Sequence, residues 1–242
     1  MNYKSVVYKN IRVYSHPHLD GGGSTFGQTF IPAVRKLFGK VNRICEFASG
    51  PGFIGFSLLA HGLCDSLCLI DVNAEAIAAA KYTVAKNGLR RKVNCYISNG
   101  LKNVPAEERW DLVVSYPPFF HGTENQRKMN LLKYDPGFNI HKMFYGMVGQ
   151  FLLDGGQVLF AESHEGSRPK QWREIVEDGG LRHCGNFEYS DLILGVKESH
   201  IESLRDLISV YPARQGLFKG QLIRLTKCSL YYVLSRRRTC GG

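Results

Sequence analysis

The chain has 242 residues, 44% of them hydrophobic and 21% charged, enough for one sizeable core and at most a small second lobe. No apolar run is long enough for a transmembrane helix, and the opening MNYKSVVYKNIRVY lacks the apolar stretch of a secretory signal. Neither a membrane partner nor export is expected, which leaves a cytoplasmic location as the expectation. The net charge of +10 suits acidic partners, RNA among them. Only Arg90-Arg91-Lys92 and Arg236-Arg237-Arg238 form basic runs, and neither alternates with aromatics as a base-stacking platform does. The cysteines (Cys45, Cys64, Cys68, Cys95, Cys184, Cys228 and Cys240) form no CxxC pair. Reduced, mostly buried thiols are expected, and no metal site.

In chain order, residues 1–28 read as an irregular lead-in that holds His16 and His18. It ends in Gly21-Gly22-Gly23 and Ser24-Thr25-Phe26-Gly27-Gln28, placed to fold over a site as a lid. Residues 29–242 read as a single domain. A strand is expected at 43–47, an apolar helix at 53–61, a strand at 66–70 and a long helix at 74–87 that stops at Gly88. Strands follow at 92–97 and 111–115, a helix at 140–153 closed by Asp154-Gly155-Gly156, and a fifth strand at 157–161. Residues 169–178 form a helix with Pro169 in its first turn. Segments 181–189 and 229–235 read as a last antiparallel pair, separated by an insertion near 190–227.

Strands alternating with helices imply βαβ units. Runs such as RICEF, LCLI, LVV and QVLF suit parallel strands buried on both faces. The expected fold is therefore α/β: a doubly wound, Rossmann-like, mainly parallel seven-stranded sheet with helices on both faces.

The first of these strands runs into Glu46-Phe47-Ala48-Ser49-Gly50-Pro51-Gly52-Phe53-Ile54-Gly55. Glycine permits the tight turn and lets a ligand lie against bare backbone. The helix beyond offers free N–H groups and the positive end of its dipole. A dinucleotide site fits less well. Ala48 takes the first glycine position of G-x-G-x-x-G/A, and Glu46 would oppose a pyrophosphate. A ligand carrying a sulfonium and an α-ammonium would welcome that carboxylate. The second strand ends at Asp71, where a carboxylate accepts both hydroxyls of a ribose. Asn73 is the better helix cap. After the fourth strand, Ser115-Tyr116-Pro117-Pro118-Phe119-Phe120 forms a stiff loop beside the switch point of the sheet.

From Arg43 to Phe120 the chain resembles the class I S-adenosylmethionine (SAM)-dependent methyltransferases, most closely the branch with an (Asn/Asp)-Pro-Pro-(Tyr/Phe) motif. That branch includes glutamine methyltransferases acting on release factors and nucleobase N-methyltransferases. The resemblance rests on Glu46 to Gly55, on Ile70-Asp71-Val72-Asn73, on Ser98-Asn99-Gly100-Leu101 and on DLVVSYPPF. It implies SAM as cofactor and S-adenosylhomocysteine as product. Ala48, Gly50 and Gly52 would lie against the cofactor, with Glu46 beside them and Asp71 on the ribose. Asn99 would face the adenine amine with Gly100 and Ser115 nearby, while Phe53, Ile54 and Val72 enclose it. Phe26-Gly27-Gln28-Thr29 would cover the methionine end. The chain departs from the branch at Tyr116, which stands where Asn or Asp accepts a hydrogen bond from the target nitrogen.

The candidate catalytic residues are Tyr116, Pro117, Phe119, Glu162, His164 and Glu165. The Pro117 carbonyl would orient a nitrogen and Phe119 would stack on a flat group. Glu162 and Glu165 would pair with a cation, and His164 would act as base or orienter. His121 is ambiguous. The leading expectation is N-methylation of a small amine- or guanidine-containing metabolite. The alternatives are an RNA or protein N-methyltransferase (nucleobase or glutamine amide), a non-catalytic SAM-fold binding module and, remotely, aminopropyl transfer. Oligomeric state has no signature in the sequence.

Overall fold

The computed structural model describes residues 3–189 and 230–238. The lead-in is ordered rather than irregular. Val6 and Tyr8 face Val13 and Ile11 across an antiparallel hairpin of β1 (Lys4–Tyr8) and β2 (Ile11–Ser15). The alternation of apolar and polar residues in Ile11–Ser15 was the available signal, and it buries Ile11 and Val13 with Tyr8. Short helix α1 (Gly23–Phe26) and helix α2 (Phe30–Leu37) lead into the sheet.

That sheet contains β3 (Val41–Phe47), β4 (Cys64–Asp71), β5 (Val93–Ile97), β6 (Trp110–Ser115), β7 (Leu152–Ser163), β8 (Leu181–Glu188) and β9 (Leu230–Arg237). Its order is β5-β4-β3-β6-β7-β9-β8. The first five are parallel, and β9 runs antiparallel between β7 and β8. The expected antiparallel pair is present. The expected insertion near 190–227 lies outside the described residues, as do Cys228 and Cys240.

Successive strand side chains point to opposite faces, so each strand feeds two cores. Ile44, Leu67, Leu69, Leu112, Val114 and Leu159 pack with Phe56 and Leu58 of α3 (Phe53–Ala60). Their neighbours Cys45, Cys68, Ile70, Val113, Val158 and Phe160 pack on the other face. There they meet α6 (Asn139–Val148) through Phe144 and Val148, and α7 (Trp172–Asp178) through Trp172 and Val176. Helix α4 (Ala74–Lys86) covers the first face near β2, and α5 (Glu124–Met129) lies in the loop after β6. Among the described residues no helix is long and apolar enough to cross a membrane.

Two boundaries differ from expectation. Helix α6 stops at Val148 because the chain must reach Leu152 to pair with Trp110. Asp154-Gly155-Gly156 then forms an irregularity inside β7 instead of a helix stop. Gly156 has no room for a Cβ there, which would sit 2.8 Å from the Leu153 carbonyl oxygen. The Pro169 helix opens as a 3-10 turn over Pro169–Gln171 before α7.

The order of strands reverses between β3 and β6. Ser115 ties the two at their carboxyl ends by donating its hydroxyl to the Phe47 carbonyl at 2.6 Å. In a doubly wound sheet the ligand crevice opens at that point.

Candidate active site

The turn after β3 folds through three left-handed residues: Ala48 (φ 50), Gly50 (φ 52) and Gly52 (φ 89). Ala48 adopts this region at a cost on the order of 1 kcal/mol, so the missing first glycine does not change the path of the turn. A Cβ on Gly50 would meet nothing closer than the Leu19 carbonyl oxygen at 3.9 Å, leaving bare backbone toward the crevice.

Two carboxylates hold this turn. Glu46 is buried and accepts the amides of Ile54 (3.3 Å) and Gly55 (2.7 Å) at the start of α3. Asp71 accepts the Gly50 amide at 2.7 Å through one oxygen and the Asn73 amide at 2.8 Å through the other. Asn73 caps α4, as expected, by accepting from Glu75 and Ala76. Burial pushes the Glu46 carboxyl from 4.5 up to about 8, against the pull of the two amides. Burial also raises Asp71, again opposed by backbone amides.

The raised Glu46 pKa sets a sign. A carboxyl whose folded pKa exceeds its unfolded value stabilises the fold below the unfolded value, and that stability is lost as pH rises through the folded value. Ligand-free protein is therefore expected to lose thermal stability between pH 4.5 and about 8. Glu46→Gln removes that part of the slope, and S-adenosylhomocysteine, with its α-ammonium, reduces it in the parent. Melting curves across this range, with and without the ligand, test both statements. Equal slopes in parent and variant would refute the assignment.

A cavity of about 380 Å³ lies over the turn. Of the expected cofactor contacts, Glu46, Ala48, Gly50, Phe53 and Ile54 line it from the turn and α3. Asp71, Val72, Asn99 and Gly100 line it from the ends of β4 and β5. Gly52 and Ser115 are not among the lining residues; they shape the turn and tie the strands. Of Phe26-Gly27-Gln28-Thr29, expected over the methionine end, Gly27 is among the described lining residues, and Gln28 and Thr29 are not.

The cavity has further walls, most of which sequence reasoning did not assign. Leu19, Asp20, Gly21 and Gly23 come from the lead-in, where the glycine run was the only signal. Ile140 and Met143 come from α6. Arg127, Leu131 and Leu132 come from the loop after β6. Arg127 is the one Lys, Arg or His among the described lining residues, and its Nε is buried with no hydrogen-bond partner among the described residues. Leu131 and Leu132 are largely exposed, and Leu132 lies over Gly21.

The expected catalytic residues separate. Tyr116 lines the cavity together with Pro118; Pro117 and Phe119 do not. Tyr116 stacks on Phe119 at 5.3 Å, and Phe120 lies tilted against Phe119 at 4.7 Å. Burial, with the charges of Glu162 and Glu165, raises the Tyr116 phenol, which stays neutral and able to donate. Glu162 and Glu165 do not form a paired cation site. Glu162 points inward, with one oxygen 2.9 Å from His141 Nε2 and the other accepting from Ser167. Glu165 is exposed. His164 pairs with Glu188 at 3.0 Å, away from the cavity lining. His121 packs edge-on against Phe138. His16 and His18 lie beside Glu75 at the start of α4. Among the described residues no cluster of His, Cys, Asp or Glu is placed to hold a metal ion.

Residues 4–133 match the methyltransferase small domain family. The chain belongs to that family. Its methyl donor is SAM, and the residues present fit such a nucleoside: exposed backbone at Gly50, carboxylates at Glu46 and Asp71, and apolar walls at Phe53, Ile54 and Met143. The chain is similar to the ribosomal RNA small subunit methyltransferase C of Pseudomonas entomophila, at 33% identity over 71% of this chain and 44% of the relative. It is also similar to the protein of the same name from Actinobacillus pleuropneumoniae serotype 3, at 38% identity over 46% and 32%. This methyltransferase domain thus spans less than half the length of these relatives. In fold it resembles the TehB-like SAM-dependent methyltransferase of Corynebacterium glutamicum (TM-score 0.51, 15% identity, 88% of each chain). It also resembles the ribosomal protein L11 methylase of Lactobacillus delbrueckii subsp. bulgaricus (TM-score 0.51, 15% identity, 88% of this chain and 79% of that one).

Proposed function

We propose that this domain transfers a methyl group from SAM to a base nitrogen of RNA. The observation that carries the reading is the likeness to relatives named as ribosomal RNA methyltransferases. Three features support it. The net charge is +10. Arg127 places a cation at the cavity, suited to a phosphate. Tyr116, Phe119 and Phe120 form a run of ring contacts beginning at the cavity, the first pair stacked and the second tilted, with Lys133 Nζ 4.5 Å from the Phe120 centroid. The small-metabolite expectation gives way, because it leaned on Glu162, which His141 and Ser167 occupy.

When bound, SAM supplies a methyl carbon on a sulfonium, open to in-line displacement. In the proposed arrangement Asp71 takes the ribose hydroxyls, Glu46 faces the α-ammonium and Asn99 faces the adenine amine. Tyr116 and Pro118 border the place of the acceptor. An acceptor nitrogen held there would present its lone pair to the methyl carbon and lose its proton to solvent. The protein's contribution is to hold nucleophile, carbon and sulfur in line.

Methyl-labelled SAM, offered to the protein with RNA, protein and small-metabolite fractions, tests this. Label is expected in nuclease-sensitive material, and RNA affinity is expected to fall linearly on a log–log salt axis. Label appearing only in small molecules or in protein would overturn the proposal.

A further inference from the structure

The loop that begins at Pro117 ends at Asp135, and there it meets a fully buried imidazole. Asp135 and His141 are inaccessible to solvent, as is Glu162 at the end of β7. His141 Nδ1 lies 2.7 Å from Asp135, and its Nε2 lies 2.9 Å from Glu162. Each ring nitrogen therefore faces a carboxyl oxygen, an arrangement met by a doubly protonated ring between two carboxylates or by a neutral ring that donates to Asp135 and accepts from a Glu162 carboxyl whose protonation burial favours. Burial alone would lower its pKa; the two carboxylates override that and raise it to about 9.

This cluster joins segments distant in sequence. Asp135 also accepts the amides of Ile140 (2.9 Å) and His141 (3.3 Å) at the start of α6. The Asp135 amide in turn donates to the Phe120 carbonyl at 2.8 Å, and the Phe120 amide donates to Lys133. The far end of the loop is thereby folded back onto its aromatic start. On the other side Ser167 donates to Glu162 and lies 2.7 Å from the Tyr231 hydroxyl, which accepts from Trp172. The Glu162 charge also reaches Tyr116 at the cavity wall.

We propose that Asp135, His141 and Glu162 form a positioning device for methyl transfer, a buried histidine ring clamped between two carboxyl groups that fixes the Pro117–Asp135 loop against the end of β7. None of the three lines the cavity, so they act through Tyr116, Pro118 and the adjoining rings Phe119 and Phe120. The inference rests on the methyl transfer to RNA proposed above for its kinetic readout, but not for its structural one. It also explains why two acids and a histidine are kept in a core, where each alone would be costly.

His141→Gln and Glu162→Gln test the device by two readouts. The first is amide hydrogen exchange. Both variants are expected to speed exchange at Phe120, Asp135 and Ile140 by about tenfold or more, through easier local opening, while β3 and β4 keep their protection. The second is turnover on RNA. It is expected to fall on the order of 100-fold in His141→Gln and less in Glu162→Gln, because a loosened loop misplaces the acceptor. Affinity for S-adenosylhomocysteine stays that of the parent. Glu162→Gln keeps an acceptor for His141 and carries the test should His141→Gln not fold. Parent-like exchange in the loop of Glu162→Gln would overturn the clamp, whatever the fate of the RNA assignment. So would loss of ligand affinity in step with turnover, which would mark a role in general stability. A parent enzyme that leaves RNA unlabelled would instead defeat the functional reading and leave the exchange result to decide the clamp.

Discussion

Asp71→Ala is expected to weaken binding of S-adenosylhomocysteine about 100-fold or more, since each charge-assisted hydrogen bond contributes about 1.5–3 kcal/mol and two to the ribose would be lost. A second loss adds to the first. The same carboxylate accepts from Gly50 and Asn73, so the variant frees the amide that shapes the turn at its exposed glycine. Asp71→Asn keeps one oxygen and is expected to fall between parent and alanine variant. Calorimetric titration of the three proteins measures the series. An alanine variant that binds like the parent would remove the ribose from this corner of the cavity.

The second large effect concerns Gly52. It sits at φ 89, and a Cβ there would lie 2.7 Å from Leu69 Cδ1 and 2.9 Å from Phe56 Cε2. Backbone strain and overpacking each cost about 1–3 kcal/mol, so Gly52→Ala is expected to destabilise by about 2–6 kcal/mol. Gly39 separates the two causes. Its φ is 67, but nothing lies within 4 Å of its Cβ position, so Gly39→Ala carries the conformational cost alone. Urea denaturation of both variants gives the difference. Equal losses would show that Leu69 and Phe56 yield without cost and that the turn is not packed as described.

Much of the architecture followed from neighbours in sequence. The runs RICEF, LCLI, LVV and QVLF became β3, β4, β6 and β7 because alternate residues of each had a core to enter on either face of the sheet. Asn73 caps α4 because the residues it serves, Glu75 and Ala76, are two and three positions away. The turn from Glu46 to Gly55 was equally local, so nine of the eleven expected cofactor residues line one cavity. Helix ends were less certain: α6 stops early because β7 pairs with β6 at Leu152, a demand made by a distant strand.

By itself, then, the sequence determined the succession of the seven sheet strands with helices α3, α4, α6 and α7, the glycine turn, and the acids and rigid loop that gather at its switch point. These depend on periodicity and turn chemistry, which act over a few residues. Only the tertiary structure decided where each buried charge found its partner. Glu162, which the chain alone offered as a substrate contact, lies 21 positions from His141 and turns to it. Arg127 and the residues around Gly21 reach the cavity from opposite ends of the matched region. Burying a charge is tolerable only beside a compensating group, and which group stands there is settled when the segments pack.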